Sequence, residues 1–175
     1  MLKRLFKPRP AVVAGRALYA SAVAQARTPA LYVDLATPDT PEGRFELYSI
    51  HVYLLLERLK NQGPQAAEVA QATFDTYLSA LDNALRELGV GDTSVGKRMR
   101  KLGEAFYGRI QSYEQALAAL PDAQPLEALI GRTVYVGGEA AKAPALAAYI
   151  LGQRAALAAL PLERFYVGEI EWTPA

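Results

Sequence analysis

The sequence predicts an all-α fold: a single helical domain of about six helices, with long central antiparallel helices. Three observations point there. Apolar residues recur every three or four positions over several long stretches. Gly and Pro cluster between those stretches, at Gly63-Pro64, Pro121, Pro125 and Gly137-Gly138. The first half has a single alternating segment, Leu31-Tyr32-Val33-Asp34-Leu35, and it is short. A chain of 175 residues, about half of them apolar and a fifth charged, suits one ordinary globular domain.

Residues 1–10 read as a basic arm and residues 11–175 as the domain. The first helix runs from about Ala11 to Ala26, and a Pro-bearing loop follows from Thr28 to Thr40. The second opens on Thr40-Pro41-Glu42, an N-cap, a Pro at the first helical position and an acid at the positive helix end. It runs to about Asn61. The third covers about Gln65 to Leu88, with Gly89 placed for a left-handed cap. The fourth starts after Asp92, Thr93 or Ser94 and ends near Leu120. A fifth spans about Leu126 to Tyr135 and a sixth about Ala143 to Leu160. The tail from Phe165 to Trp172 is compatible with an extended segment and is expected to pack an aromatic.

The reactive inventory excludes most chemistry. There is no Cys, one His and only five Ser. Thiol catalysis, disulfides, iron–sulfur clusters and multi-His metal sites are ruled out, and a Ser–His–Asp triad would have to use His51. No cofactor is expected. Haem ligation could draw only on His51, Met1 or Met99. Charge is balanced overall but not along the chain. Residues 1–33 hold six cations and no acid, while residues 34–175 hold thirteen cations and eighteen acids. Such a start resembles a transit peptide or a helix lying on an anionic membrane or RNA surface. It equally suits a basic tail before an ordinary helix.

Helix faces sharpen the picture. In the fourth helix, Val95, Met99, Leu102, Phe106, Ile110, Tyr113, Leu117 and Leu120 form one core-facing stripe. The second helix is apolar on two arcs, so it belongs at the centre. Only Glu46, Ser49, Tyr53, Glu57 and Lys60 are expected to be solvated. Between the arcs lie Arg44, His51 and Arg58, seven apart on one line. Buried cations need partners, and Asp75 or Asp82 on the third helix, beside Gln71 and Arg86, is expected to supply them. That polar network either fixes helix register or forms a groove for a partner. Gly91 to Lys97 matches the opening of a phosphate-binding loop, but Arg98 follows where Ser or Thr should hold magnesium. An interhelical turn explains it as well. Lys97, Arg98, Arg100 and Lys101 set four cations at a helix start whose dipole favours anions. They are either a solvated face or a contact for RNA, lipid headgroups or an acidic protein.

Several segments together resemble the ubiquinol–cytochrome c chaperone family, in its bacterial branch, over about residues 30–120. They are Pro38-Asp39-Thr40, Gly43-Arg44-Phe45-Glu46, His51, Arg58-Leu59, Gln71, Phe74-Asp75, Asp82, Leu85-Arg86-Glu87, Gly89-Val90-Gly91-Asp92, Val95-Gly96-Lys97, and Phe106-Tyr107-Gly108-Arg109 with Tyr113. The resemblance implies a non-enzymatic chaperone for assembly of the complex that oxidises ubiquinol and reduces cytochrome c. Its client would be newly made cytochrome b. A small helical partner and a ribosomal site are implied by the mitochondrial members. The expected place is the cytoplasmic face of a bacterial inner membrane. Partner-binding candidates are Arg44, His51, Arg58, Lys97, Arg98, Arg100, Lys101 and Arg109. Asp75, Asp82 and Arg86 are the candidate structural network. Two rivals stand beside this reading: a small helical enzyme or ligand-binding protein using Asp75, Asp82 and His51, and an RNA-binding module.

Overall fold

The computed structural model describes residues 9–87 and 91–175. Met1, most of the basic arm and the expected cap at Gly89 lie outside them. The described residues form eight α-helices and no strand: α1 (Pro10–Ala26), α2 (Pro29–Val33), α3 (Pro41–Leu59), α4 (Pro64–Glu87), α5 (Asp92–Ala118), α6 (Gln124–Thr133), α7 (Ala143–Ala159) and α8 (Leu162–Val167). A single 3-10 turn, Ala140–Lys142, precedes α7.

The all-α expectation holds, and the two helices beyond the expected six are short. The segment expected to alternate forms α2 instead. No strand among the described residues is there to pair with it. Pro29 starts the helix, Leu31 is fully buried, and the Tyr32 hydroxyl donates to the Ala26 carbonyl at 2.8 Å. The tail departs similarly. Phe165 is buried, so its segment coils into α8, and Gly168 ends that helix in the left-handed region at φ 75°. Past Gly168 the chain has no regular secondary structure, and the expected aromatic contact is made there: Trp172 Nε1 donates to Ser21 Oγ of α1 at 2.9 Å.

The central helix is α3, which touches α1, α4, α5 and α7. Its start is capped as the sequence suggests, with Thr40 Oγ1 accepting from the Gly43 amide. The helix α1 lies against α4 at very short range. A Cβ on Gly15 would sit 2.6 Å from the Ala72 carbonyl carbon and the Thr73 nitrogen. Only glycine permits that backbone approach.

One expectation about α3 is overturned. Three residues of its supposedly solvated strip are buried: Glu46, Ser49 and Tyr53. The strip is covered from two sides. The Ser49 and Tyr77 hydroxyls share a hydrogen bond at 2.9 Å across the α3–α4 interface. From α5, Tyr113 stacks on Tyr53 with ring centroids 5.2 Å apart.

Candidate functional site

The line of Arg44, His51 and Arg58 is not one site. Arg44 is exposed and pairs with Asp39 just before α3, at 2.6 Å. Half-buried Arg58 donates to the Leu157 and Leu160 carbonyls at the end of α7, at 3.0 and 2.9 Å. Its guanidinium lies 5.4 Å from the centre of the Phe165 ring. It therefore ties α3 to the carboxyl end of α7, where a cation complements the helix dipole.

His51 is fully buried and cannot reach a partner. Its Nδ1 lies 2.7 Å from the Leu47 carbonyl, which can only accept, so Nδ1 carries the proton. Nε2 then accepts from the Tyr149 hydroxyl at 2.8 Å. Tyr149 in turn accepts from Gln25 Nε2 at 2.9 Å. Burial pushes the imidazole pKa down to about 4, against the Leu47 bond that favours the proton. Burial likewise pushes Tyr149 up to about 12. The only imidazole is thus a neutral structural bridge between α3 and α7. Gln153 and Gln25 continue the polar seam by holding the Thr173 backbone, and Trp172 closes it with an edge contact to His51 at 5.2 Å.

The expected pairing of Asp75 or Asp82 with the α3 cations does not form. Each acid instead takes a neighbour one turn away on its own helix. Gln71 donates to Asp75 at 2.7 Å, and Arg86 bonds Asp82 at 2.7 Å. Asp75 is exposed and lines a crevice with Arg9, Arg16 and Glu68. Asp75, Asp82 and His51 are therefore not gathered into one pocket, and the enzyme reading loses its site. Arg109 is also committed within the fold. It clasps buried Glu46 with Nε at 2.8 Å and Nη2 at 2.7 Å, and that bond raises its pKa. This bidentate bridge fastens α5 to α3.

The surface that the structure does open lies elsewhere. The end of α3, the first half of α4 and the middle of α5 frame a groove of about 850 Å³. Leu56, Ala67, Ala70, Phe74, Tyr107 and Ile110 make it apolar, and Lys60 and Glu114 pair at its rim. Phe74 stacks on Phe106 at 5.4 Å and meets Tyr107 edge-on at 5.7 Å. Tyr107 remains 57% exposed, an unusual exposure for a large aromatic with aromatic neighbours. Tyr53 also lines the groove, and its buried hydroxyl has no partner among the described residues. In the sequence Tyr107 falls outside the core stripe of its helix and stands only within the family-like segment Phe106-Tyr107-Gly108-Arg109. The available signal was an aromatic beside the core stripe of α5, immediately after Phe106.

Lys97, Arg98, Arg100 and Lys101 are all exposed on the first turns of α5. No metal-binding cluster of His, Asp and Glu occurs among the described residues, and no described helix is long and apolar enough to cross a membrane.

The sequence matches the family model described as ubiquinol-cytochrome C chaperone over residues 33–172. The chain belongs to the ubiquinol–cytochrome c chaperone family. Among solved structures it is similar to the crystal structure of the Cbp3 homolog from Brucella abortus. The two share 37% identity and a TM-score of 0.86, over 99% of this chain and 97% of that one. No curated protein sequence matches. The family match extends well past residue 120. It takes in Tyr149 and Trp172, which contact His51, and Gln153, which holds the Thr173 backbone. Membership makes the protein an assembly chaperone of the ubiquinol–cytochrome c complex.

Proposed function

We propose that this chaperone is non-enzymatic and holds an apolar segment of newly made cytochrome b in the α3–α4–α5 groove. It does so at the cytoplasmic face of a bacterial inner membrane. The observation that carries this reading is the groove itself. It is open, apolar and aromatic, with the exposed ring of Tyr107 along it. Burying an exposed aromatic and its apolar neighbours contributes roughly 25 cal/mol for each Å² removed from water. His51, Arg58 and Arg109 support this work indirectly, by fastening the helices that frame or brace the groove, while Arg44 pairs only with Asp39 at the start of its own helix. Of the residues expected to do chemistry, His51 is engaged in such bracing, while Asp75 and Asp82 bond neighbours on their own helix.

The test is deletion of the gene and complementation with the wild type or with Tyr107→Glu/Ala67→Glu. Both substituted positions are exposed, so the fold should be kept. Deletion should lower the reduced b-type haem spectrum and the level of the assembled complex, and the double variant should fail to restore them. Full rescue by the double variant would place the client elsewhere. An unchanged b-type spectrum after deletion would remove the client assignment.

A further inference from the structure

The four cations at the start of α5 have no role in the fold or in the groove. Lys97, Arg98, Arg100 and Lys101 are exposed and make no hydrogen bond or ion pair among the described residues. Elsewhere Arg44, Lys60, Arg86, Arg109, Arg154 and Arg164 each hold a carboxylate. Four positive side chains within residues 97–101 therefore crowd a helix end whose own dipole is positive. At 100° per residue they share one broad arc, and Met99 turns back from it, half-buried. The surrounding helix pair is thinly covered. Past Tyr77 no described residue of α4 is buried. Between Ser94 and Ala105 only Val95 is buried. Leu81, Leu85, Met99 and Leu102 are half-buried along the same stretch. A cationic arc thus borders a partly open apolar seam.

We propose that this end of the α4–α5 pair is a docking surface for an anionic phospholipid bilayer. The inference deepens the membrane-face part of the proposed function and does not depend on the client. Compact cationic clusters beside apolar side chains suit the headgroup layer, where the cations meet phosphates and the apolar groups reach the acyl boundary. RNA fits less well. No aromatic residue occurs between positions 91 and 105 to stack a base. Residues 34–175 carry thirteen cations against eighteen acids, so an extended polyanion laid along the body meets repulsion. A plane touching only this end leaves the more distant acids beyond a Debye length of roughly 8–10 Å. With no described helix able to span a bilayer, contact through these residues is made at its surface.

The experiment is co-sedimentation of the full chain with vesicles of phosphatidylcholine alone or mixed with phosphatidylglycerol, at low and high salt. The proteins are the wild type, Lys97→Gln/Arg100→Gln/Lys101→Gln, and Lys3→Gln/Arg4→Gln/Lys7→Gln in the amino-terminal arm. The α5 substitutions are at exposed positions, and an unchanged melting curve confirms the fold. The wild type should bind only the anionic vesicles, and less at high salt. The α5 variant should bind about a hundredfold more weakly, at roughly a factor of five for each charge. The arm variant should retain most of the binding. Loss confined to the arm variant overturns the inference, as does wild-type binding that ignores vesicle charge. An α5 variant that loses binding to ribosomal RNA yet keeps its vesicle binding overturns it too, and assigns the cluster to nucleic acid. None of these outcomes alters the cytochrome b test, so the two readings fail separately.

Discussion

The buried imidazole gives the sharpest prediction, because His51 is the only histidine in the chain. The perturbation is acid. His51 is held neutral with a pKa lowered to about 4, against roughly 6.5 in an unfolded chain. Between those values the unfolded state binds the proton that the folded state refuses. The contribution is complete above the unfolded value and is lost as pH falls toward the folded one. The loss is about 1.4 kcal/mol near pH ~5.5 and about 2.6 kcal/mol near pH ~4.5, with a limit of about 3.4 kcal/mol. Carboxylates add their own acid dependence, so the difference between wild type and His51→Gln isolates this term. Urea unfolding followed by Trp172 fluorescence measures it, since Trp172 is the only tryptophan and packs against His51. The variant should be less stable than wild type at neutral pH and should close the gap on acidification. Imidazole NMR shifts should titrate near 4. An imidazole that titrates near 6.5, with a constant stability gap, would refute the buried neutral bridge.

Other perturbations follow from the same packing. Arg109→Met leaves the Glu46 carboxylate buried without its partner and should cost about 3–5 kcal/mol, while Glu46→Leu/Arg109→Met should recover much of that loss, as measured by urea denaturation. Gly15→Ala places a methyl 2.6 Å from the α4 backbone and should cost about 1–3 kcal/mol, seen as a lowered Tm. Trp172→Ala removes the Ser21 bond and the edge contact to His51, and should destabilise by about 1–3 kcal/mol while speeding proteolysis of the tail.

Much of the fold was legible because its signals are local. The boundaries of α1, α3, α4 and α7 follow from Pro at helix starts, Thr40 as a cap and a Gly-Pro stop, and they need no tertiary information. The functional surface was legible only in part, for the opposite reason. Because α3 is apolar on two arcs, periodicity places it at the centre but does not say which side α5 covers. Glu46, Ser49 and Tyr53 looked solvated for that reason, although Arg109, Tyr77 and Tyr113 cover them. The spacing of Arg44, His51 and Arg58 was real, but its meaning depended on α7 and α8, which supply Tyr149, Leu157, Leu160 and Phe165 from far along the chain. Pairing of Asp75 and Asp82 failed because a partner one turn away is nearer than one on another helix. Tyr107 could not be singled out until the groove showed what its exposed ring borders.

The groove as the client site is the central claim, and crosslinking during synthesis tests it most directly. A photoreactive phenylalanine at position 107 or 67 of the full chain, with cytochrome b being made, should capture cytochrome b. The same probe at Val136, which is 73% exposed on the α6–α7 turn away from the groove, should not. Capture from position 136 with none from 107 or 67 would contradict the account and move the client to another face.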